Sequence, residues 1–582
     1  MISILNTKSL YNKFYFVSIT VLIILIFNFV IFRCAYFSAE YSFNLFNEIR
    51  TIDSKYYSFI KILSVVSIII SYSFISCNLY SKFFQKEVEN TENTNNIVSG
   101  KLSLNLGINL ETNMPVIIPE RGLYQNILVT GTIGTGKTSS AMYPFVEQLM
   151  SKNLGMLILD VKGNFHKKVN EFAKKYNRKV TVIELNGKET YNPLDKPNLK
   201  PSVLANRLRT ILTLFSNQNT TDTYWLDKVE SFLTEAIKLC RLYNNGYVTF
   251  VELHKIIYDK TYLNSKLNVA KENFLANKYS NEQIYELSTC LDFFMSEFKS
   301  LDSKVLSIIQ SEISRITQLF VNDLDVKRTF CPAKEDITFR GFQNLEDNIV
   351  VLNMNVAEYR NLAKILATYL KLDFESEVLM RLAKYSEIKP VAFICDEYQE
   401  YVTANDADFF SESREAKCIN IISTQSYTSL LNAVKEQSAA KVIIQSLVNK
   451  IWFRTDDNFT IEEAQKQLGK EDKVKYSKSI SENAKETKYN YLLGTFKSDN
   501  SNLSESISTQ IQHDFIYDTN IFSLELKTFH AICFISTGTE ILKPQLVRLT
   551  PIHELYPNEN KKLLPSTSNN QNNILKKETK FI

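Results

Sequence analysis

Residues 126–140 read NILVTGTIGTGKTSS, and this stretch decides how the rest of the chain is interpreted. An apolar Ile-Leu-Val run enters a glycine-rich turn, and an amphipathic stretch, SSAMYPFVEQLM, follows it at 139–150. Such a turn between a strand and a helix forms a phosphate-binding loop when it carries the pattern G-x-x-x-x-G-K-[ST]. The residues that fit this pattern are Gly131, Gly136, Lys137 and Thr138.

Each part of this loop has a chemical role. Glycines let the backbone curl so that successive N–H groups point at a phosphate. Lys137 is expected to reach the β- and γ-phosphates, and the hydroxyl of Thr138 to ligate Mg²⁺. We therefore predict a site for ATP and Mg²⁺ whose nucleotide-binding residues are Gly131, Thr132, Gly134, Thr135, Gly136, Lys137, Thr138 and Ser139.

A phosphate-binding loop of this type works with an acidic residue at the end of a buried strand, which holds the magnesium shell. Two apolar runs end in such a residue, one at Asp160 and one at Asp396. Only the second continues with a glutamate, Glu397, which can polarise an attacking water as a general base. We predict that Asp396 and Thr138 hold Mg²⁺ and that Glu397 and Lys137 are catalytic.

Two further catalytic candidates lie downstream. Gln425 follows the apolar run 418–424, and a glutamine at a strand end can orient water or contact the γ-phosphate. Arg414 stands on a predicted helix, SESREAK, and in a ring of subunits it could reach a neighbour's γ-phosphate as an arginine finger. Arg454, after the strand-like run 451–453, is its rival for that role.

The composition argues against disulfide and metal sites and is neutral on nucleic-acid binding. The formal net charge of +4 over 582 residues favours neither presence nor absence of nucleic-acid binding. Eight cysteines are scattered without a C-x-x-C pair, which is typical of reduced thiols in a cytosolic body. The five histidines include no pair at metal-ligand spacing.

Two uncharged apolar runs, at 14–32 and 62–80, are each long enough to cross a bilayer as a helix. We predict two transmembrane helices and a short extracytoplasmic loop within a membrane anchor at 1–82. The alternatives are a cleaved signal peptide for the first run and a buried helix for the second. Because ATP is cytosolic, we expect a multi-pass cell-membrane protein whose N-terminus and remaining body face the cytoplasm.

Five segments in order resemble the type IV coupling proteins of conjugation and secretion, the TraG/TraD family: VTGTIGTGKTSS at 129–140, LILDVKGNF at 157–165, VTVIELNGKETYNPLD at 180–195, FICDEYQEY at 393–401 and IISTQS at 421–426. In that family an Asp-Pro-Lys-Gly-Glu strand end follows the phosphate loop, then an Asn-Pro-Leu turn, and Asp-Glu-Phe marks the magnesium strand. The matching residues here are Asp160, Lys162 and Gly163, then Asn192, Pro193 and Leu194, then Asp396 and Glu397.

The sequence departs from the family pattern at a few positions. Val161 replaces the family's proline, Asn164 its glutamate and Tyr398 its phenylalanine, and Thr132 stands where proline is common. None of these changes removes a predicted phosphate, metal or water ligand. They leave the role of the segment around Asp160 open, and we do not assign it to catalysis.

The resemblance implies a RecA-like α/β core, a mostly parallel doubly wound sheet, with an inserted all-α domain. Apolar spacing supports this independently: residues 197–330 are helical in pattern, and strand-like runs resume near 349. The predicted organisation is an anchor, a linker, the first part of the ATPase domain, the all-α domain, the second part of the ATPase domain and a disordered polar tail, at 1–82, 83–100, 101–196, 197–340, 341–555 and 556–582.

The resemblance further implies a ring, a homo-hexamer, that uses ATP to drive single-stranded DNA with an attached relaxase towards the proteins of a type IV secretion channel. The cargo (plasmid, integrative element or protein effector) is left open. Two alternatives also remain at this point. One is a substrate receptor that ATP switches between conformations, and the other is a chromosome translocase of the FtsK type.

Overall fold

The computed structural model describes residues 102–215, 220–342, 344–384, 387–434, 436–483, 488–490, 495–497 and 502–556. The two predicted transmembrane runs, the predicted linker and nearly all of the predicted tail lie outside these residues. Of the helices in the described ranges, none is both long enough and apolar enough to pass through a bilayer.

One mixed sheet of eleven strands organises the described residues, in the order β2-β1-β15-β14-β9-β3-β8-β7-β4-β6-β5. Two small antiparallel pairs, β10 with β13 and β11 with β12, lie outside it. The strands are β1 (Ser103–Asn109), β2 (Pro115–Pro119), β3 (Ile127–Thr130), β4 (Gly155–Leu159), β5 (Val180–Ile183), β6 (Ile349–Leu352), β7 (Val391–Cys395), β8 (Cys418–Thr424), β9 (Asn449–Trp452), β10 (Lys470–Asn483), β11 (Lys488–Asn490), β12 (Thr495–Lys497), β13 (Asn502–Phe515), β14 (His530–Phe534) and β15 (Gln545–Arg548).

The strands from β9 to β5 are all parallel. All but the edge strand β5 are completely buried, which explains why they read as continuous apolar runs and not as alternating ones. Neighbouring residues still face opposite sides, since Leu128 belongs to one hydrophobic core and Ile127 and Val129 to the other. The prediction of a mostly parallel sheet with helices is confirmed.

The other four strands extend the sheet in antiparallel fashion beyond β9. Two of them, β1 and β2, form an antiparallel hairpin. The strands β14 and β15 were not predicted. They are short: β14 has three consecutive buried residues, Ala531, Ile532 and Cys533, and β15 has only Val547, so neither sequence alternates between buried and exposed positions.

Helices cover both faces of the sheet, and the two cores lie on its two sides. They are α1 (Glu120–Leu123), α2 (Tyr143–Met150), α3 (Phe165–Lys175), α4 (Pro201–Thr213), α5 (Thr220–Tyr243), α6 (Phe250–Tyr258), α7 (Lys260–Leu275), α8 (Asn281–Asp292), α9 (Ser303–Asn322), α10 (Leu324–Phe330), α11 (Val356–Tyr359), α12 (Asn361–Lys384), α13 (Asp406–Glu412), α14 (Tyr427–Val434), α15 (Gln437–Ser446), α16 (Asn458–Leu468) and α17 (Ile552–Leu555).

Helices α4 to α10 form the segment between β5 and β6, where the apolar spacing predicts them. Local capping fixes some of their starts: Thr249 and Glu252 form a reciprocal capping box at α6, and Ser280 and Gln283 form another at α8. The same apolar faces pack into one core with the sheet, through residues such as Leu208 and Phe232. This helical segment thus packs against the sheet and lies in the connection between β5 and β6.

The pair β10–β13 is an antiparallel ribbon that the sequence did not predict. Val474 pairs with Ile511, and both side chains are exposed, as is Tyr476 two residues further on the same face. Neither face of this part of the ribbon packs against the core, so its sequence lacks the buried apolar alternation by which strands are recognised.

Candidate nucleotide site

The predicted phosphate-binding loop follows β3, the central strand of the eleven-stranded sheet. Gly134 and Gly136 have left-handed φ angles of 81° and 95°, which residues with a side chain rarely adopt. The hydroxyl of Thr135 donates to the carbonyl of Thr132 at 2.9 Å. A π-helical turn, Thr138–Met142, then leads into α2. The loop therefore lies between a buried strand and a helix, which is the setting its chemistry needs.

Two segments far away in sequence hold the loop in place. The N–H and the hydroxyl of Thr132 both donate to the carbonyl of Arg454, at 2.9 and 3.1 Å. The N–H of Phe529 donates to the carbonyl of Thr135 at 3.1 Å. The Phe529 ring covers Gly136 so closely that a Cβ there would lie 2.4 Å from a ring carbon. Sequence reasoning missed Phe529, because no local pattern links it to the loop.

Lys137 is buried, and its ammonium donates to the carbonyls of Gly131 and Thr132, the latter at 3.3 Å. Burial lowers the pKa of Lys137, while the carboxylates of Glu397 and Asp396 oppose that shift. The ammonium is thus bound to its own loop by carbonyl groups, next to two carboxylates. A phosphate group entering the loop would give it an anionic partner.

The end of β7 meets the start of the π-helical turn. The hydroxyl of Thr138 donates to one carboxylate oxygen of Asp396 at 2.9 Å, and the hydroxyl of Ser423 donates to the other. Asp396 is 1% exposed. Strand β8 lies between β3 and β7, and Ile422 pairs with Cys395, so the next residues along, Ser423 and Asp396, stand side by side. Sequence reasoning missed Ser423, which only the strand order and register reveal.

Glu397 follows in a left-handed backbone conformation, with φ 53° and ψ 51°. Its carboxylate accepts a hydrogen bond from the side-chain amide of Gln399 at 2.8 Å. The amide oxygen of Gln399 accepts one from the hydroxyl of Thr424, the last residue of β8, at 2.9 Å. Sequence reasoning missed Gln399 as well, although a polar side chain two residues after Glu397 is close enough in sequence to be considered.

The remaining predicted residues lie at both ends of the parallel strands. Ser139 lies in the π-helical turn, and its hydroxyl donates to the carbonyl of Gly136 at 3.2 Å. Gln425 follows β8 directly and is half-buried, at the carboxyl ends of the strands, where the loop also lies. Arg454 follows β9 at the same ends. Arg414 is exposed and precedes β8, so it lies at the amino ends of the strands.

The prediction that a helix carries Arg414 is wrong. Helix α13 ends at Glu412, and a turn follows in which Lys417 takes a left-handed φ of 50°. The N–H of Cys418 bonds the carbonyl of Ser413 at 3.1 Å, which closes this turn at the start of β8. The chain must reverse here to enter a buried parallel strand, and that requirement ends the helix early.

Asp160, at the end of β4, has a different set of partners. Its carboxylate accepts three backbone N–H bonds from its own loop, from Lys162, Asn164 and Phe165, at 3.1, 3.0 and 3.1 Å. Burial raises the pKa of Asp160, and these backbone bonds oppose the shift. Asp160 thus fixes the turn that leads into α3.

The residues of the phosphate-binding loop and the end of β7 fit a nucleotide with bound Mg²⁺. The glycine turn presents backbone N–H groups, and Lys137 donates to two backbone carbonyls that a phosphate can replace. The hydroxyl of Thr138 and the carboxylate of Asp396 are adjacent, and oxygen donors of this kind suit Mg²⁺. The fold and the loop together are those of a P-loop nucleotide-binding protein.

Comparison with known proteins gives a narrower assignment. Residues 113–543 match the family profile described as the type IV secretion-system coupling protein DNA-binding domain. The match spans more than half of the chain, and the protein therefore belongs to the family of type IV secretion-system coupling proteins. The resemblance inferred from the sequence motifs is confirmed. No curated protein matches the sequence.

Several solved structures resemble this chain at low sequence identity. The bacterial conjugative coupling protein TrwBdeltaN70, in an unbound monoclinic form, has 13% identity and a TM-score of 0.50, over 76% of this chain and 88% of that one. TrwB in complex with ADP and Mg²⁺ has 14% identity and a TM-score of 0.49, over 74% and 87%. VirB4 of Thermoanaerobacter pseudethanolicus has 12% identity and a TM-score of 0.46, over 78% and 97%.

Proposed function

We propose that this protein is a membrane-anchored ATPase that recruits a relaxase with its single-stranded DNA and drives them into a type IV secretion channel. The observation that carries the proposal is the contact between Thr138 and Asp396 at 2.9 Å, beside Glu397. This contact joins the phosphate loop to the strand that ends in two consecutive carboxylates. Family membership supports the assignment to a coupling protein.

The residues divide the chemistry of hydrolysis among themselves. The backbone of the loop and Lys137 bind the phosphates, and Thr138 and Asp396 would hold Mg²⁺, which neutralises charge that develops on the phosphate oxygens. Glu397 accepts the proton of the attacking water as general base. Gln425, at the neighbouring strand end, orients that water or contacts the γ-phosphate.

Arg414 is the residue that we propose as an arginine finger. Strand β8 runs parallel to β3, so a residue before β8 lies at the amino ends of the strands and the loop after β3 lies at their carboxyl ends. Arg414 is therefore remote from its own loop, and its side chain is exposed. We propose a homo-hexamer in which Arg414 acts across the subunit boundary, with Arg454, whose carbonyl already binds its own loop, as the rival.

We further propose that the chain is anchored in the cell membrane by residues 14–32 and 62–80, with the N-terminus and the ATPase body in the cytoplasm. Single-stranded DNA would pass through the centre of the ring, held through its phosphates and not its base edges.

The test is ATP hydrolysis by the full-length protein, with and without single-stranded DNA. Lys137→Ala and Glu397→Gln should each abolish hydrolysis. Their matched controls, Lys167→Ala on α3 and Glu335→Gln in the turn Lys334–Asp336, change exposed residues and should leave it intact. Stimulation by DNA that is lost in both site variants supports the motor.

The other outcomes contradict the proposal in different ways. Nucleotide binding without hydrolysis in either condition would favour a substrate receptor that ATP switches between conformations. Hydrolysis that DNA does not stimulate would separate the ATPase from DNA transport. Survival of activity in Glu397→Gln would show that another group activates the water.

A further inference from the structure

Gln399 links the predicted general base to Thr424, at the end of β8, through side-chain hydrogen bonds. Its amide N–H donates to one carboxylate oxygen of Glu397 at 2.8 Å, and its amide oxygen accepts from the hydroxyl of Thr424 at 2.9 Å. Both functional ends of the amide are therefore engaged at once. An amide held at its oxygen presents its N–H groups in a fixed direction, so the Thr424 bond determines where Gln399 points its donor.

Thr424 in turn belongs to the framework of the phosphate loop. It is fully buried at the end of β8 and pairs with Thr130, the last residue of β3. Its carbonyl accepts the N–H of Gly131, the first glycine of the loop, at 3.4 Å. A continuous series of hydrogen bonds thus connects Gly131, Thr424, Gln399 and the carboxylate of Glu397.

Buried charged residues fix the backbone turn that carries Gln399. The turn Tyr398–Glu400 follows Glu397, and the hydroxyl of Tyr398 donates to Asp406. Asp406 also accepts a hydrogen bond from the ammonium of Lys371 at 2.6 Å, and the side chains of Tyr398, Asp406 and Lys371 are fully buried. A side chain on so well fixed a turn can hold its neighbour within a narrow range of positions.

We propose that Gln399 is a positioning residue for hydrolysis: it holds one carboxylate oxygen of Glu397 and leaves the other for the attacking water. This rests on the proposed function, because it assumes that Glu397 acts as the base. The side-chain amide of Gln399 bonds Glu397 and Thr424, and we propose that it acts through Glu397. The reach of a base decides its efficiency, since the proton must be abstracted across a hydrogen bond.

The test compares three variants in the full-length protein with a matched control. Gln399→Ala removes the donor, Gln399→Glu keeps the size but puts an oxygen against the carboxylate, and Thr424→Val removes the hydroxyl that orients the amide. Gln148→Ala is the control, because Gln148 also makes two hydrogen bonds through its amide, both to the backbone of Asn105, away from the site.

We expect kcat to fall about 10- to 100-fold in both Gln399 variants, as is typical when a group that orients a catalytic residue is removed, and less in Thr424→Val. KM, the Kd for a fluorescent ATP analogue and Tm should stay near wild type, as should every parameter of Gln148→Ala. A merely structural glutamine would instead lower Tm and spare kcat.

Two results would overturn the inference, and they are distinguishable. If wild type hydrolyses ATP, Glu397→Gln abolishes it and Gln399→Ala and Gln399→Glu keep normal kcat, the positioning role is wrong while the proposed function stands. If wild type binds nucleotide without hydrolysing it, or Glu397→Gln retains activity, the proposed function fails and the inference falls with it.

Discussion

The neighbouring parallel strands β4 and β7 both end in a buried aspartate, yet the two residues do different work. Asp160 accepts three bonds from backbone N–H groups within its own loop. Asp396 accepts one backbone N–H bond, from Glu397 at 3.2 Å, but also bonds from the hydroxyls of Thr138 and Ser423, which come from the loop after β3 and from β8. An apolar run that ends in aspartate therefore does not define a metal ligand. The partners of the carboxylate define it.

The difference lies in which groups are exchangeable. Backbone N–H bonds to Asp160 hold a turn together, and a carboxylate so engaged has its lone pairs directed at protein. Hydroxyl partners such as Thr138 can instead turn their oxygen to a cation and act with the carboxylate as ligands. On this account only the end of β7 supports chemistry, and the end of β4 supports the fold.

The largest expected effect breaks the comparison at β7. Asp396→Ala should lower kcat for ATP hydrolysis by at least about 100-fold, because the charge that organises the magnesium ion is lost. Its midpoint of urea unfolding should change little by comparison. The measurement is steady-state ATPase kinetics alongside urea titration, and retention of a tenth of wild-type kcat would contradict the assignment.

The same change at β4 should act on stability instead. Asp160→Ala leaves three N–H groups of a partly buried turn without their acceptor, at a cost of about 2–3 kcal/mol in the free energy of unfolding. Urea unfolding measures this cost. Specific ATPase activity of the folded fraction should remain within about threefold of wild type. A hundredfold loss with unchanged stability would place Asp160 in the chemistry.

Each aspartate has a left-handed glycine nearby, which sharpens the comparison. A Cβ on Gly136 (φ 95°) would meet the Phe529 ring at 2.4 Å, whereas one on Gly163 (φ 68°) would meet the backbone of Asn355 at 3.1 Å. Gly163→Ala should lower the free energy of unfolding by about 1–2 kcal/mol and leave the Kd for ATP unchanged. Gly136→Ala should lower stability too and should also raise the Kd for ATP. Equal Kd values for the two variants would contradict this.

The smallest expected effect concerns pH. Burial lowers the pKa of Lys137, and Asp396 is one of the two carboxylates that oppose the shift. The ammonium attracts phosphate below that pKa, and the attraction is lost as pH rises through it. Metal-free ATP affinity, measured between pH 7 and 10, should therefore decline at lower pH in Asp396→Asn than in wild type. Asp160→Asn should follow the wild-type curve, and identical midpoints for all three proteins would refute the argument.

Local patterns were sufficient for part of this site. The strand, the glycine turn and the helix around Lys137 are consecutive in sequence, and so are the buried run and the two carboxylates at Asp396 and Glu397. Parallel strands that are buried on both faces are continuous apolar runs, which made most of the central sheet predictable. The contact between Thr138 and Asp396 followed from the chemistry that both residues share.

Other features depended on contacts between distant segments and could not be predicted. Ser423 reaches Asp396 only because β8 lies next to β7, and Phe529 reaches Gly136 from the position just before β14. The β10–β13 ribbon, exposed at Val474 and Tyr476, lacks the buried alternation that identifies a strand. Tertiary order, and not local preference, determines each of these.

The most direct test of the account is Mn²⁺ binding in the presence of ATP, followed by electron paramagnetic resonance, in wild type, Asp396→Asn and Asp160→Asn. Mn²⁺ takes oxygen ligands as Mg²⁺ does, and its signal reports binding without any need for hydrolysis. The account predicts at least a tenfold weaker Mn²⁺ affinity for the ATP complex of Asp396→Asn and an unchanged one for Asp160→Asn. Equal weakening in the two variants, or loss only in Asp160→Asn, would contradict it.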